Sequence, residues 1–144
     1  LVYIEEYKRN YDKISINHKI EDNLLIKFDH SYLDIIFNNL FKNSIEALNL
    51  TNNPSIDITL KLIDNNLVLT FFDNGPGYDG NIEDLKKPYF STKNSSGLGL
   101  SLINKIITDN SYKMNITTNS YSGFKIEIIF NDKNISNRWW IGNL

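Results

Sequence analysis

Two asparagines four residues apart, Asn39 and Asn43, stand in the stretch Asn39-Leu40-Phe41-Lys42-Asn43. In a helix that spacing stacks both carboxamides on one side. A neutral amide oxygen is a good hard ligand for Mg2+, helping to hold the ion while leaving its charge for substrate phosphates. Burying such an amide without a partner costs about 1–3 kcal/mol, so one at the border of an apolar arc should meet something. A second group is Asp73-Asn74-Gly75-Pro76-Gly77. Its carboxylate can accept a hydrogen bond from the amino group of a base, and its glycines let the backbone turn sharply and approach a ligand. A third is Pro88-Tyr89-Phe90-Ser91-Thr92-Lys93, followed by Gly97-Leu98-Gly99-Leu100 where a helix begins. Exposed N–H groups and the helix dipole make that terminus an anion site. Lys93 and the hydroxyls of Ser91 and Thr92 could add charge and hydrogen bonds. Each group taken alone also has a plain reading: a chance asparagine pair, a tight turn, an ordinary glycine before a helix.

These groups need elements to position them. Residues 2–12 are charged and aromatic and read as a short helix or lead-in segment. Residues 13–20 alternate apolar and polar with period two, a half-buried strand, and residues 24–28 read as a second strand paired with it in a hairpin. Asp29, His30 and Ser31 can cap a helix from Ser31 to about Asn49. On its wheel Leu33, Ile36, Phe37, Leu40, Phe41, Ser44, Ala47 and Leu48 share one broad face. Residues 51–54 end it. Strands over 55–63 and 67–72 follow, joined by a tight turn at Asp64-Asn65-Asn66, where asparagine tolerates positive φ. The glycine-rich loop 73–80 leads to a polar helical turn near 83–87 and an irregular stretch over 88–96. A second apolar-periodic helix runs to about Asp109, and strands at 113–118 and 124–130 turn at Ser122-Gly123. This order predicts an α/β two-layer sandwich, one mixed sheet backed by helices on one face.

Composition narrows the functional classes. The chain has 144 residues and a formal charge of −2, room for one domain with a real core. Nothing in the charge pattern marks a nucleic-acid partner. The absence of cysteine excludes a disulfide framework, a thiolate zinc site and a cysteine nucleophile. Only His18 and His30 are available, too few for a histidine-rich metal centre, and both read as structural. No apolar run approaches the ~20 residues of a membrane span. Asparagine and isoleucine each supply about 15% of the chain while alanine is nearly absent, far from average usage and suggestive of AT-rich coding. The chain opens on Leu1 rather than methionine, as a piece of a longer protein would.

The four segments in this fixed order resemble the ATP-binding catalytic domain of two-component sensor histidine kinases, within the GHKL or Bergerat-fold superfamily. Residues 39–48 (NLFKNSIEAL) match the N box, 73–77 the G1 box, 88–93 the F box and 97–100 the G2 box. The N box and the PYFSTK string look most like the nitrogen-regulation subfamily. The resemblance covers residues 13–130, leaving 1–12 as a linker or the end of a dimerisation helix and 131–144 as a C-terminal tail.

By this resemblance Asn43 would coordinate the Mg2+ that bridges the ATP phosphates, with Asn39 beside the phosphates. Asp73 would bind the adenine amino group, and Gly75 and Gly77 would shape the base pocket. Residues 78–96 would form a lid. Thr92 and Lys93 would approach the phosphates, cradled by Gly97, Leu98, Gly99 and Leu100. Asn39, Asn43 and Lys93 are the catalytic candidates. Superfamily members that hydrolyse ATP resemble this helix but carry Glu at the place of Asn39, where a carboxylate can activate water. An amide cannot, which favours phosphoryl transfer to an external nucleophile. The acceptor implied is a histidine on a separate dimerisation domain of a homodimeric parent, with a response regulator downstream, in the cytoplasm and without membrane insertion of this segment. A non-catalytic nucleotide-binding module, or a GHKL ATPase or anti-sigma-type serine kinase, remains an alternative. Three departures from the family pattern stand out. Glu46 occupies the place of a frequent phosphate-contacting Lys, the stretch after Lys93 holds no second basic residue, and the usual glycines are absent around Asn110-Ser111-Tyr112.

Overall fold

Alternation along residues 55–60 and 69–73 decides which face of the sheet is dry. The computed structural model describes residues 2–22, 24, 28–90, 97–120 and 122–131. Its elements are α1 (Val2–Asn10), β1 (Ser15–Ile20), α2 (His30–Leu48), β2 (Ser55–Ile63), β3 (Asn66–Asp73), α3 (Ile82–Leu85), α4 (Gly99–Asp109), β4 (Lys113–Thr118) and β5 (Phe124–Phe130). The strands form one mixed sheet in the order β1-β2-β3-β5-β4. Ile56, Ile58 and Leu60 of β2, Leu69 and Phe71 of β3, and Ile126 and Ile128 of β5 point to one side and are buried. Against them lie the apolar stripes of α2 and α4, in the two-layer arrangement that the periodicities predict.

The β2–β3 hairpin is set by its turn. Ile63 pairs with Asn66, and the two residues between, Asp64 and Asn65, both have positive φ (49° and 59°). That is the type I′ geometry, whose twist matches the strands and which Asn and Asp tolerate. Helix α2 starts where Asp29 accepts a hydrogen bond from the Ser31 backbone N–H at 2.9 Å. The Ser31 hydroxyl and N–H together hold the Asp29 carboxyl below its ordinary pKa, so the cap is complete at neutral pH and is lost as acid protonates it. At the end of α4, Ser111 takes φ +61°, performing the left-handed turn for which a glycine would be expected.

Of the expected hairpin between residues 13–20 and 24–28, the second strand lies mostly outside the described residues, and the described partner of the first is β2. Strand β1 pairs in parallel with β2, Ser15 opposite Ser55 through Ile20 opposite Leu60. Leu24 and Phe28 lie outside any strand, half-buried against the core, and residues 25–27 fall outside the described residues. The physical reason is that period two in residues 13–20 fixes a strand but not its partner, and β2 offers a longer apolar neighbour. The lead-in segment is helical, and α1 packs on the domain. Ile4 is buried in the core, the Tyr7 ring stacks on Phe41 at 3.9 Å between centroids, and the Tyr7 hydroxyl donates to Asn38 Oδ1 at 3.1 Å.

Phe41 is fully buried, stacked on Tyr7 and set edge-on to Phe71 at 5.1 Å. It joins α1, α2 and β3 in one contact. Phe41→Ala should therefore cost about 3–5 kcal/mol of stability, read as a lower midpoint in urea unfolding with little change in slope.

Candidate functional site

Helix α2, the end of β3, the loop behind it and the start of α4 surround one cavity. Its lining includes Asn39, Asn43, Asp73, Gly77, Gly97, Gly99 and Leu100, with Tyr78, Phe90 and Phe124 supplying aromatic walls. Residues from four separate stretches of sequence, within 39–47, 71–90, 97–100 and 124–126, thus converge. Gly75 and Leu98 do not line it. Gly75 is buried behind Asp73, and Leu98 is largely exposed at the N-cap of α4. Ser91, Thr92 and Lys93 lie outside the described residues, as do residues 94–96 and Arg138-Trp139-Trp140.

Asp73 forms the deep end. It is the last residue of β3 and only 3% exposed. Ser44 Oγ donates to its Oδ2 at 2.5 Å, and the Gly75 backbone N–H donates to its Oδ1 at 3.0 Å. A side chain at Gly75 would place its Cβ 2.9 Å from that same Oδ1, so glycine there keeps the N–H close to the carboxylate. Ser44 was placed by periodicity on the apolar face of α2, and its contact with Asp73 was not foreseen. The available signal was a hydroxyl in the middle of a buried stripe, since a buried polar group must find a partner.

The loop after Asp73 is pinned on both sides. Asn74 accepts from the Ser55 N–H at 2.7 Å and donates to the Asn53 carbonyl at 2.9 Å. Gly77 has φ +71°, and a Cβ there would lie 2.1 Å from the Asn119 carbonyl oxygen. Next along, the Tyr78 N–H donates to Thr118 Oγ1 at 2.9 Å, and that hydroxyl donates to the Gly123 carbonyl, also at 2.9 Å. The β4–β5 turn therefore holds one wall, a contribution that no local motif announces. Asp79 accepts from the backbone N–H and hydroxyl of Ser120, which lower its carboxyl pKa.

The asparagine pair faces the start of α4. Asn39 donates its amide to the Ile35 carbonyl at 2.7 Å, leaving Oδ1 on the side of Gly99. A Cβ at Gly99 would sit 2.9 Å from Asn39 Oδ1 and 3.4 Å from Asn43 Nδ2, so a side chain there would press on both carboxamides. Leu98, the N-cap of α4, makes no side-chain cap hydrogen bond, and the first N–H groups of such a helix can serve a ligand. Gly97, at φ +64°, packs against the backbone of Tyr89 and Phe90. The cavity thus joins a carboxylate acceptor and ring walls at one end to amides and open N–H groups at the other. A flat base and an anionic group suit those two ends. Among the described residues no group of three or more His, Cys, Asp or Glu could hold a metal ion. Amide oxygens fit a hard cation that shares phosphate ligands. His18, 3.3 Å from Lys8 Nζ, and His30, 3.2 Å from Asp34, do not line the cavity.

The family described as histidine kinase-, DNA gyrase B- and HSP90-like ATPase matches residues 28–134, well over half of the chain. Sporulation kinase B of Bacillus subtilis (strain 168) is 36% identical over 100 residues, an alignment covering 68% of this chain and 23% of that protein. The chain therefore spans under a quarter of the length of that curated relative. The mycobacterial sensor histidine kinase MprB shares the fold with a TM-score of 0.74 at 19% identity, covering 90% of this chain and 89% of that one. The catalytic domain of histidine kinase ThkA has a TM-score of 0.74 at 25% identity, covering 90% and 91%.

Gly77 carries the most demanding backbone position at the cavity. Gly77→Ala combines positive φ with a clash against main chain and should cost roughly 2–3 kcal/mol. Thermal unfolding should register this as a drop of roughly 5–10 °C.

Proposed function

Because the chain belongs to the histidine kinase-, DNA gyrase B- and HSP90-like ATPase family, as an ATP-binding catalytic domain of the sensor histidine kinase type, we propose that it passes the γ-phosphoryl group of ATP to a histidine on a separate dimerisation domain. A response regulator then receives the group. The observation that carries this reading is the convergence of Asp73, the Asn39–Asn43 pair and the start of α4 on one cavity.

In this reading Asp73 accepts a hydrogen bond from the adenine amino group, and Gly75 and Gly77 shape the floor around it. Tyr78 and Phe90 flank the base. Asn39 and the N–H groups of Gly97, Gly99 and Leu100 surround the phosphates, where backbone donors and the helix dipole offset negative charge. Thr92 and Lys93 complete the phosphate contacts from the lid, residues 78–96. Asn43 would hold Mg2+, which would supply positive charge to offset that of the phosphates. The acceptor imidazole nitrogen bonds to the γ-phosphorus as the bond to the β-phosphate oxygen breaks, and ADP leaves. In such a reaction the protein mainly positions groups. Asn39, an amide where hydrolysing relatives carry a carboxylate, cannot take a proton from water at neutral pH, so transfer is favoured over hydrolysis.

We assign residues 13–130 to the domain proper, with residues 1–12 at the junction to the dimerisation domain of a homodimeric parent and 131–144 as a tail. The N box and the PYFSTK string support the nitrogen-regulation subfamily. Among the described residues no helix is long and apolar enough to cross a membrane, and we place the domain in the cytoplasm.

Mixing the chain with a dimerisation domain that carries the acceptor histidine, Mg2+ and γ-labelled ATP should yield acid-labile phosphohistidine. Rapid phosphate release without any acceptor, or tight ATP binding without transfer, would overturn the proposal. Asp73→Asn and Asn43→Asp should each lower nucleotide binding or transfer by about 100-fold, since each alters a buried or charge-assisted contact. Chelation of Mg2+ should abolish transfer in the same assay.

A further inference from the structure

A carboxylate is by itself a poor judge of purines. The 6-amino group of adenine donates to it, and so does the ring N–H of a 6-oxo purine. What separates the two is the atom next to the carboxylate, which meets either a second N–H or a carbonyl oxygen. In this cavity that neighbour is Ser44. The two residues lie 29 positions apart, and both are buried, at 4% and 3% exposed. An ionised carboxylate has no proton to give, so the proton in the 2.5 Å contact comes from the Ser44 hydroxyl. The Gly75 N–H is likewise directed to the carboxylate, at 3.0 Å from Asp73 Oδ1.

We infer that Ser44 is a specificity-determining positioning residue: with its hydroxyl proton committed to Asp73, the pair turns acceptors toward the base, which takes a 6-aminopurine nucleotide and rejects a 6-oxopurine one. The inference rests on the reading of Asp73 as the base contact. Serine in a helix commonly bonds its own turn four residues back. Ser44 instead reaches across to β3, fixing the carboxylate's orientation and leaving Oγ lone pairs as acceptors. A 6-amino group offers N–H to Asp73 and a second N–H toward Ser44. A 6-oxo group sets lone pairs against Ser44 Oγ beside a buried carboxylate. Sites built from hydrogen-bond partners discriminate strongly because the wrong ligand leaves buried polar groups unmatched.

The test is a set of dissociation constants for the chain with ATP, inosine triphosphate and purine riboside triphosphate, which carry a 6-amino group, a 6-oxo group and no 6-substituent. Inosine triphosphate should bind more weakly than purine riboside triphosphate, because repulsion adds to the loss of a hydrogen bond. Equal or tighter binding overturns the inference, and this arm needs no variant. Ser44→Ala should weaken ATP binding about tenfold and narrow the ATP-to-inosine-triphosphate ratio by a similar factor. Ser44→Thr, which retains the hydroxyl, should restore the ratio. An unchanged ratio in Ser44→Ala also overturns the inference. Asp73→Asn separates the two levels. If it binds ATP like the unaltered chain, the base-contact reading itself fails. If it loses ATP while Ser44→Ala keeps its selectivity, only the role of Ser44 fails.

Discussion

A carboxylate buried at the end of a central strand is tolerated only if donors meet it, since an unpaired buried charge costs several kcal/mol. Asp73 imposes that condition on everything around it. Two donors that meet it are the hydroxyl of Ser44 on α2 and the N–H of Gly75 in the following loop. For Ser44 to reach it, α2 must cross β3 at one height. The helix is held there by Phe41 and Phe37 and, through Tyr7, by α1. For Gly75 to reach it, the chain must fold back at once after the strand, and Asn74 secures that turn to the start of β2. The core and the polar corner are therefore one structure.

Close approach is the second organising condition, and glycine meets it at the points that matter. Gly99 lets the start of α4 come against the two asparagines, and Gly77 lets the loop pass beneath the Asn119 carbonyl. Neither residue contacts a ligand through a side chain. Each acts by what it leaves out, so that backbone N–H groups and amides share a small volume. The same logic explains why Ser111 succeeds where a glycine is common. Its left-handed turn sits exposed at a helix end, where a serine side chain has room.

Periodicity made most of the elements legible before any coordinates. Strands β4 and β5, the turn at Asp64-Asn65 and the apolar stripe of α2 follow from local pattern, because period and turn chemistry are properties of neighbouring residues. Pairing is a property of distant ones, and the parallel pairing of residues 15–20 with β2 was not legible. The strand was legible and this neighbour was not, since alternation says which face is buried but not which edge is nearest. The cavity divides in the same way. Asn39, Asn43, Asp73, Gly77, Gly97, Gly99 and Leu100 were legible from residue type and order, while Ser44 and the Thr118–Tyr78 link were not.

By itself, the sequence determined the family, the two-layer architecture and the residue types available for chemistry, since motif order and hydrophobic period are written along the chain. Only the tertiary structure decided what those groups face. It turned Ser44 from a helix-face residue into a donor for a carboxylate 29 positions away, took Leu98 and Gly75 off the cavity wall, and brought the β4–β5 turn in to hold the loop. Hydrogen-bond partners depend on packing across sequence distance, and one-dimensional order carries no record of that.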